Sequence, residues 1–144
     1  MSRKLLTWNE FKERYGTSKT TNFDLIHWAR GLGIINFRYA MRDELKPKNI
    51  IMNLDSSRGA GIHHVAIFNT PEYKNYFSSF GDPPPPEVVA MLDRTMTSDT
   101  IREYNDFQVQ EFNTSYCGQA ALYFLYCLNN GKKACDIILE LKDV

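Results

Sequence analysis

A nearly uninterrupted apolar run near the C-terminal end most constrains what this chain can fold into. It reads Gln119-Ala-Ala-Leu-Tyr-Phe-Leu-Tyr-Cys-Leu128 and is followed by Asn-Asn-Gly131, a favourable helix C-terminus. The run predicts a helix from Cys117 to Asn129. A helix that is apolar on most of its surface has to be buried, so we expect this one at the centre of the protein.

Cys117 stands at the beginning of that helix and is the candidate nucleophile. The free N–H groups of the first turn and the helix dipole favour a thiolate over a thiol. Gly118 leaves room beside the sulfur for a substrate backbone. Gln110 lies seven residues before Cys117, close enough to direct an amide N–H to the same point. This pattern predicts a nucleophilic thiol with an adjacent oxyanion donor.

A pair of histidines lies earlier, in Gly61-Ile-His63-His64-Val-Ala-Ile-Phe68, which reads as a strand. Adjacent side chains of a regular strand point to opposite faces, so only one histidine can meet Cys117. A base, an amide donor and a thiol, in the order His, Gln, Cys, are the parts of a cysteine protease.

These residues resemble one protease family. Gly-Ile-His-His-Val-Ala and Tyr76-Phe-Ser-Ser-Phe-Gly81 are similar to the Gly-Val-His-Trp-Met-Ala and Phe-Asp/Glu-x-Phe-Gly motifs of the adenovirus protease, adenain. Such motifs recur in proteases of virophages and large DNA transposons, and the wider clan includes the SUMO-specific Ulp proteases. The segments 37–45 and 49–55 resemble the substrate-groove segment and the first core strand of that family, so the likeness covers roughly residues 20–140.

The resemblance implies that His63 is the catalytic base, Gln110 the oxyanion-hole donor and Cys117 the nucleophile. Ser78 takes the place of the acid that orients the histidine, and it can offer a hydrogen bond without a charge. Since thiolate and imidazolium can form before substrate binds, we expect a slower enzyme, not an inactive one.

The residues leave two alternatives open. His64, which replaces the tryptophan of the family motif, becomes the base if the strand register shifts by one residue. Asp82 is a second candidate for orienting the histidine, although Gly81 and the prolines that follow are expected to turn the chain away.

The resemblance also implies an α+β fold. We expect a small mixed β-sheet flanked by helices, with Cys117 at the N-terminus of a central buried helix, as in the papain-like clan of adenain and Ulp type. Residues 1–144 are expected to form a single domain in which residues 1–19 are a candidate N-terminal arm.

The function implied is that of a viral or transposon-encoded cysteine endopeptidase. It would cleave capsid or core precursors at small-residue, glycine-containing sites, with the substrate in a groove lined by residues 37–43. One alternative is an inactive pseudoprotease that serves as a capsid-associated binding module. Another is a protease of SUMO or ubiquitin-like proteins.

Composition sets the expected partners. The 144 residues carry 17 basic and 17 acidic side chains, so there is no general attraction to nucleic acid, although Lys132-Lys133 offers a local basic patch. The three cysteines lack metal-ligand spacing, so we expect neither disulfides nor a metal nor another cofactor, while the resemblance leaves room for an activating peptide.

No stretch reaches membrane-spanning length and no secretory signal is evident. We therefore expect a protein of the virion and the infected cell, in cytoplasm or nucleus, that is not secreted.

Periodicity and turn residues predict the remaining elements. The predicted helices are Trp8–Tyr15, one opened by a Thr21–Asp24 capping box, Pro86 to about Thr97, Cys117–Asn129 and Ala134–Leu141; the predicted strands are Asn49–Leu54, Ile62–Asn69, Asn75–Phe80 and Phe107–Val109. Residues 81–86 are expected to form a stiff proline-rich connection, and residues 98–105 a polar one.

Overall fold

The computed structural model describes residues 4–41, 49–54, 63–110 and 114–142. Within these residues lie five helices: α1 (Trp8–Tyr15), α2 (Asn22–Gly31), α3 (Pro86–Asp93), α4 (Cys117–Asn129) and α5 (Ala134–Lys142). The same residues form five strands: β1 (Phe37–Met41), β2 (Asn49–Asn53), β3 (His64–Asn69), β4 (Tyr73–Phe77) and β5 (Ile101–Tyr104).

The strands form one mixed sheet in the order β1-β2-β3-β4-β5. The β1–β2 and β4–β5 pairs are parallel, and the two central pairs are antiparallel. The predicted α+β class with a small mixed sheet flanked by helices is confirmed.

Side chains alternate between two cores, one on each face of the sheet. The face that packs against α4 carries Tyr39, Ile51, Ala66, Phe68 and Phe77. The opposite face carries Ala40, Ile50, Met52, Val65, Ile67 and Tyr76, which pack against Val88, Met91 and Leu92 of α3. The period of two therefore decides which strand residues can approach the N-terminus of α4.

Helix α4 is the central buried element that its composition predicts. Its residues from Cys117 to Cys127 are all buried, and Phe124 stacks on Phe77 with ring centroids 4.6 Å apart. Helix α1 packs against α4 through Trp8, whose ring centroid lies 5.2 Å from that of Tyr123. Residues of the candidate N-terminal arm thus contribute to the main core.

Local sequence signals place the helix ends well. A Thr7–Glu10 capping box opens α1, and the predicted Thr21–Asp24 capping box opens α2. Pro86 occupies the first turn of α3, and the bounds of α4 are those predicted. Helix α3 ends at Asp93, earlier than predicted, because a turn in which the Met96 N–H bonds to the Asp93 carbonyl follows it.

Several strands differ from the predictions. Residues 107–109 are not a strand, and the segment expected to be a polar connection contains β5. All four residues of β5 are exposed, so the strand carries no alternation by which to recognise it. Strand β4 spans Tyr73–Phe77 instead of Asn75–Phe80, since residues 78–81 form a turn closed by the Gly81 N–H on the Ser78 carbonyl. Strand β1 was not predicted. Residues 42–45 of the groove segment, the predicted turn at 55–61 and Ile62 of the predicted strand lie outside the described residues.

Candidate active site

Cys117 begins α4, and its sulfur lies among backbone N–H groups. The His64 N–H is 3.4 Å from Sγ, and the N–H groups of Cys117 and Gly118 also interact with it. Burial is the largest influence and raises the thiol pKa above its ordinary value, while these amides and the Lys19 ammonium act in the opposite direction. The resting residue is therefore a thiol at neutral pH.

The imidazole in contact with this sulfur belongs to His64. Its Nδ1 atom is 3.9 Å from Sγ of Cys117, and its Nε2 atom is 3.0 Å from the Tyr39 hydroxyl. Burial, together with the nearby His63 and Lys19, lowers the pKa of His64 to about 4. The ring is neutral at pH 7, so the resting pair is thiol and imidazole instead of thiolate and imidazolium.

His63 lies in a separate buried contact with Ser78. Its Nε2 atom is 3.2 Å from the Ser78 hydroxyl, and its ring stacks on Phe80 with centroids 4.4 Å apart. Its Nδ1 atom is buried and has no hydrogen-bond partner among the described residues. Burial lowers the pKa of His63 to about 4, opposed by the negative charge of Asp82. The predicted His63–Ser78 contact is present, without a direct bond from His63 to the sulfur.

Gln110 is buried next to the site, with its amide already bound. Its Nε2 atom donates to the Thr114 hydroxyl at 3.0 Å and to the Thr114 carbonyl at 3.3 Å. Its Oε1 atom accepts a hydrogen bond from the Ser79 hydroxyl. Donation to an oxyanion at Cys117 therefore requires Gln110 to release a bond to Thr114.

The turn after β4 positions Gln110. The Ser79 carbonyl accepts hydrogen bonds from the N–H groups of Val109 (2.8 Å) and Gln110 (3.0 Å). This approach depends on Gly81, which has φ +78° and whose added Cβ would lie 2.6 Å from the Phe107 carbonyl carbon. The Phe-Gly pair of the sequence motif thus brings the glutamine segment against the turn.

A cavity of about 190 Å³ opens beside the sulfur. It is lined by Lys19, Thr20, His64, Phe80, Thr114, Ser115 and Cys117. The Lys19 side of the cavity is held in place by Gln119 on α4, whose Nε2 atom donates to the Ser18 carbonyl at 2.9 Å. Lys19 gives the cavity lining a cation.

The sequence therefore located Cys117 at the N-terminus of α4 but missed several of its neighbours. Segments 37–45 and 49–55 include Tyr39 and Asn53 without identifying either residue, and no motif marks Lys19 or Thr20. The alternation along β3 could have identified His64, because it shares a face with Ala66, which packs against α4.

Among the described residues, no three His, Cys, Asp or Glu side chains are grouped as metal ligands. Within the same ranges, no helix is both long enough and apolar enough to cross a membrane.

The mixed α+β architecture matches the viral cysteine protease fold. Two crystal structures of the ASFV pS273R protease show the similarity, the native form with a TM-score of 0.63 and the selenomethionine form with a TM-score of 0.61. Each is 18% identical to this chain and is matched over 90% of it. The chain spans about two thirds of their length, 66% and 67% respectively. No family model and no curated protein sequence matches the chain.

Proposed function

We propose that this chain is a cysteine endopeptidase, encoded by a virus or a transposon, with Cys117 as nucleophile. The observation that carries the proposal is the Cys117 sulfur at the N-terminus of a buried helix, 3.9 Å from a histidine ring nitrogen. The fold supports it, since a cysteine and a histidine are brought together in a protein shaped like the ASFV pS273R protease.

In the proposed reaction, an imidazole of the His63–His64 pair takes the thiol proton and the Cys117 sulfur attacks the scissile carbonyl carbon. The imidazolium then gives its proton to the leaving amine as the carbon–nitrogen bond breaks. Water hydrolyses the resulting thioester, which releases a carboxylic acid and restores the thiol. The neutral resting state is compatible with this sequence, because proton transfer can accompany the attack.

The oxyanion would be held by the backbone N–H of Cys117, at the positive end of α4, and by the side chain of Gln110. Gln110 would exchange its bond to Thr114 for one to the oxyanion. Because Thr114 lines the cavity, a substrate that occupies the cavity is well placed to trigger this exchange.

The proposed substrates are polypeptides, of which capsid or core precursors are the expected class. The cavity of about 190 Å³ beside Cys117 supports small residues such as glycine before the cleaved bond. The zero net charge offers no support for activation by nucleic acid. Action in the virion and the infected cell, with or without an activating peptide, is part of the same proposal.

The test is cleavage of a proteome-derived peptide library, with new N-termini identified by mass spectrometry. We expect cleavage after small residues that is lost in Cys117→Ala. Glycine-containing precursor peptides and ubiquitin-like fusion proteins are compared as separate substrate arms. If the wild-type and Cys117→Ala proteins give the same N-termini in every arm, the chain is not an endopeptidase.

One set of observations favours a second candidate function, a pseudoprotease that acts as a capsid-associated binding module. The pKa of the Cys117 thiol is raised, both histidine pKa values are lowered, and Ser78 supplies no charge. With His63 as the base, Ser78→Asp separates the two candidates. A gain of Cys117-dependent cleavage indicates a weakened enzyme, whereas no cleavage in either form supports the binding module.

A further inference from the structure

We propose that His64, and not His63, exchanges the proton with Cys117, and that the Tyr39 hydroxyl is the positioning group that holds the His64 ring. This inference rests on the proposed function and assigns the roles of two side chains at the same site. In this assignment, the neutral phenol of Tyr39 takes the place of the charged acid of a protease triad.

The sheet register brings these side chains together. Asn53 of β2 is the cross-strand partner of His64, and on the other side Asn53 pairs with Met41 of β1. Tyr39 lies two residues before Met41, so Tyr39, Asn53 and His64 share the face that packs against α4. Cys117 begins α4 above that face, which is why His64 meets the sulfur.

The Tyr39 hydroxyl is chemically suited to hold the ring. Asn53 Nδ2 donates to the hydroxyl oxygen at 3.4 Å, and His64 Nε2 lies 3.0 Å from the same oxygen. A phenol oxygen has two lone pairs, so it can accept from Asn53 and from the Nε2–H of His64 together. That arrangement leaves the Nδ1 lone pair of His64 facing the thiol.

The proton transfer balances with these groups alone. The S–H bond of Cys117 breaks and an Nδ1–H bond forms on His64, giving a thiolate and an imidazolium. Both N–H groups of the imidazolium then have acceptors, the sulfur at Nδ1 and the Tyr39 oxygen at Nε2. Burial raises the pKa of Tyr39, so the phenol stays protonated and takes no part as a base.

His63 is held elsewhere. Its ring is fixed by stacking on Phe80 and by the contact with Ser78, and no direct bond joins it to Cys117. The imidazole therefore packs beside the turn that carries Ser78 and Phe80.

Alkylation of Cys117 by iodoacetamide tests the assignment without a substrate. We expect His64→Gln to slow the reaction at neutral pH by at least about tenfold, and His63→Gln to slow it less. Tyr39→Phe should slow it by roughly two- to tenfold and move the pH–rate profile to higher pH, because the ring loses its acceptor. Alkylation at Cys117 is located by peptide mass after digestion.

Tyr73→Phe is the matched control. Tyr73 is also partly buried, and its hydroxyl also accepts from an asparagine, Asn75, at 2.7 Å, away from Cys117. Both variants lose one hydroxyl, so a purely structural role predicts equal effects on alkylation. Free imidazole should partly restore the rate in His64→Gly and leave wild type unchanged.

A larger loss in His63→Gln than in His64→Gln, or equal profiles for Tyr39→Phe and Tyr73→Phe, would overturn the inference. The proposed function fails separately. If alkylation depends on His64 but no peptide is cleaved, proton exchange between His64 and Cys117 is supported and the endopeptidase proposal is wrong. If cleavage occurs but depends on His63, the endopeptidase proposal is supported and the assignment of His64 is wrong.

Discussion

Thr20 and Gly118 lie side by side, and the approach is possible only because Gly118 has no side chain. A Cβ at Gly118 would collide with Oγ1 of Thr20 and would lie 3.4 Å from Nδ1 of His64. Gly118 therefore allows the segment before α2 to form part of the wall of the cavity.

We expect Gly118→Ala to lower the free energy of unfolding by roughly 1–3 kcal/mol, the usual cost of overpacking. Thr20→Ala in the same chain removes the colliding oxygen and should recover most of the loss. Gly31→Ala in α2 is the control, because nothing lies within 4 Å of its added Cβ. Urea denaturation measures all three; equal costs for Gly118→Ala and Gly31→Ala would contradict the packing argument.

Gly81→Ala should destabilise the protein more than Gly33→Ala. Both glycines have positive φ, +78° and +75°, so both alanines incur backbone strain of about 1–2 kcal/mol. Only at Gly81 does the added Cβ also strike backbone, at Phe107. We expect an additional loss of roughly 1–3 kcal/mol, together with weaker protection of the Gln110 amide in hydrogen exchange. Equal losses in the two variants would show that the contact with residue 107 relaxes freely.

Stability should fall on mild acidification because His63 and His64 are both buried in neutral form. Their pKa is about 4 in the folded protein and about 6.5 when unfolded, so below pH 6.5 the unfolded chain binds more protons. The loss develops from about pH 6.5 to 4 and approaches roughly 3 kcal/mol for each histidine. Denaturation measured between pH 6.5 and 5 isolates the contribution of the histidines. Glu140 has a lowered pKa, so it takes up a proton only at a pH below the ordinary pKa of a glutamate.

His64→Gln should flatten that profile by about half, and His63→Gln by a similar amount. A wild-type free energy of unfolding that is constant from pH 7 to 5 would mean that the rings are hydrated or paired in solution.

Cys117 should react slowly with alkylating agents at neutral pH. Its thiol is only 8% exposed and its pKa is raised, whereas Cys135 is exposed. We expect Cys135 to be modified first at pH 7, and the rate at Cys117 to rise steeply above pH 8.5. Intact mass combined with peptide mapping follows both sites, with Cys135→Ser as control. An apparent pKa for Cys117 well below 8.5 would instead indicate a preformed thiolate–imidazolium pair.

The sequence was sufficient where a local signal carries the information. The apolar composition of residues 119–128 required a buried helix, and the capping boxes and Pro86 located helix starts through hydrogen bonds made within one turn. The position of Cys117 at a helix N-terminus follows from these signals. An exposed edge strand such as β5 has no such signal, because burial imposes no pattern on it.

What only the tertiary structure decided is which side chains meet at Cys117. The motif pointed to His63, and its spacing could not show that the strand begins at His64, with the face toward α4. Tyr39 and Asn53 reach His64 through a parallel and an antiparallel pairing, and strand register is a property of contacts between distant segments. Local signals thus placed Cys117 at a helix N-terminus, and long-range pairing determined its neighbours.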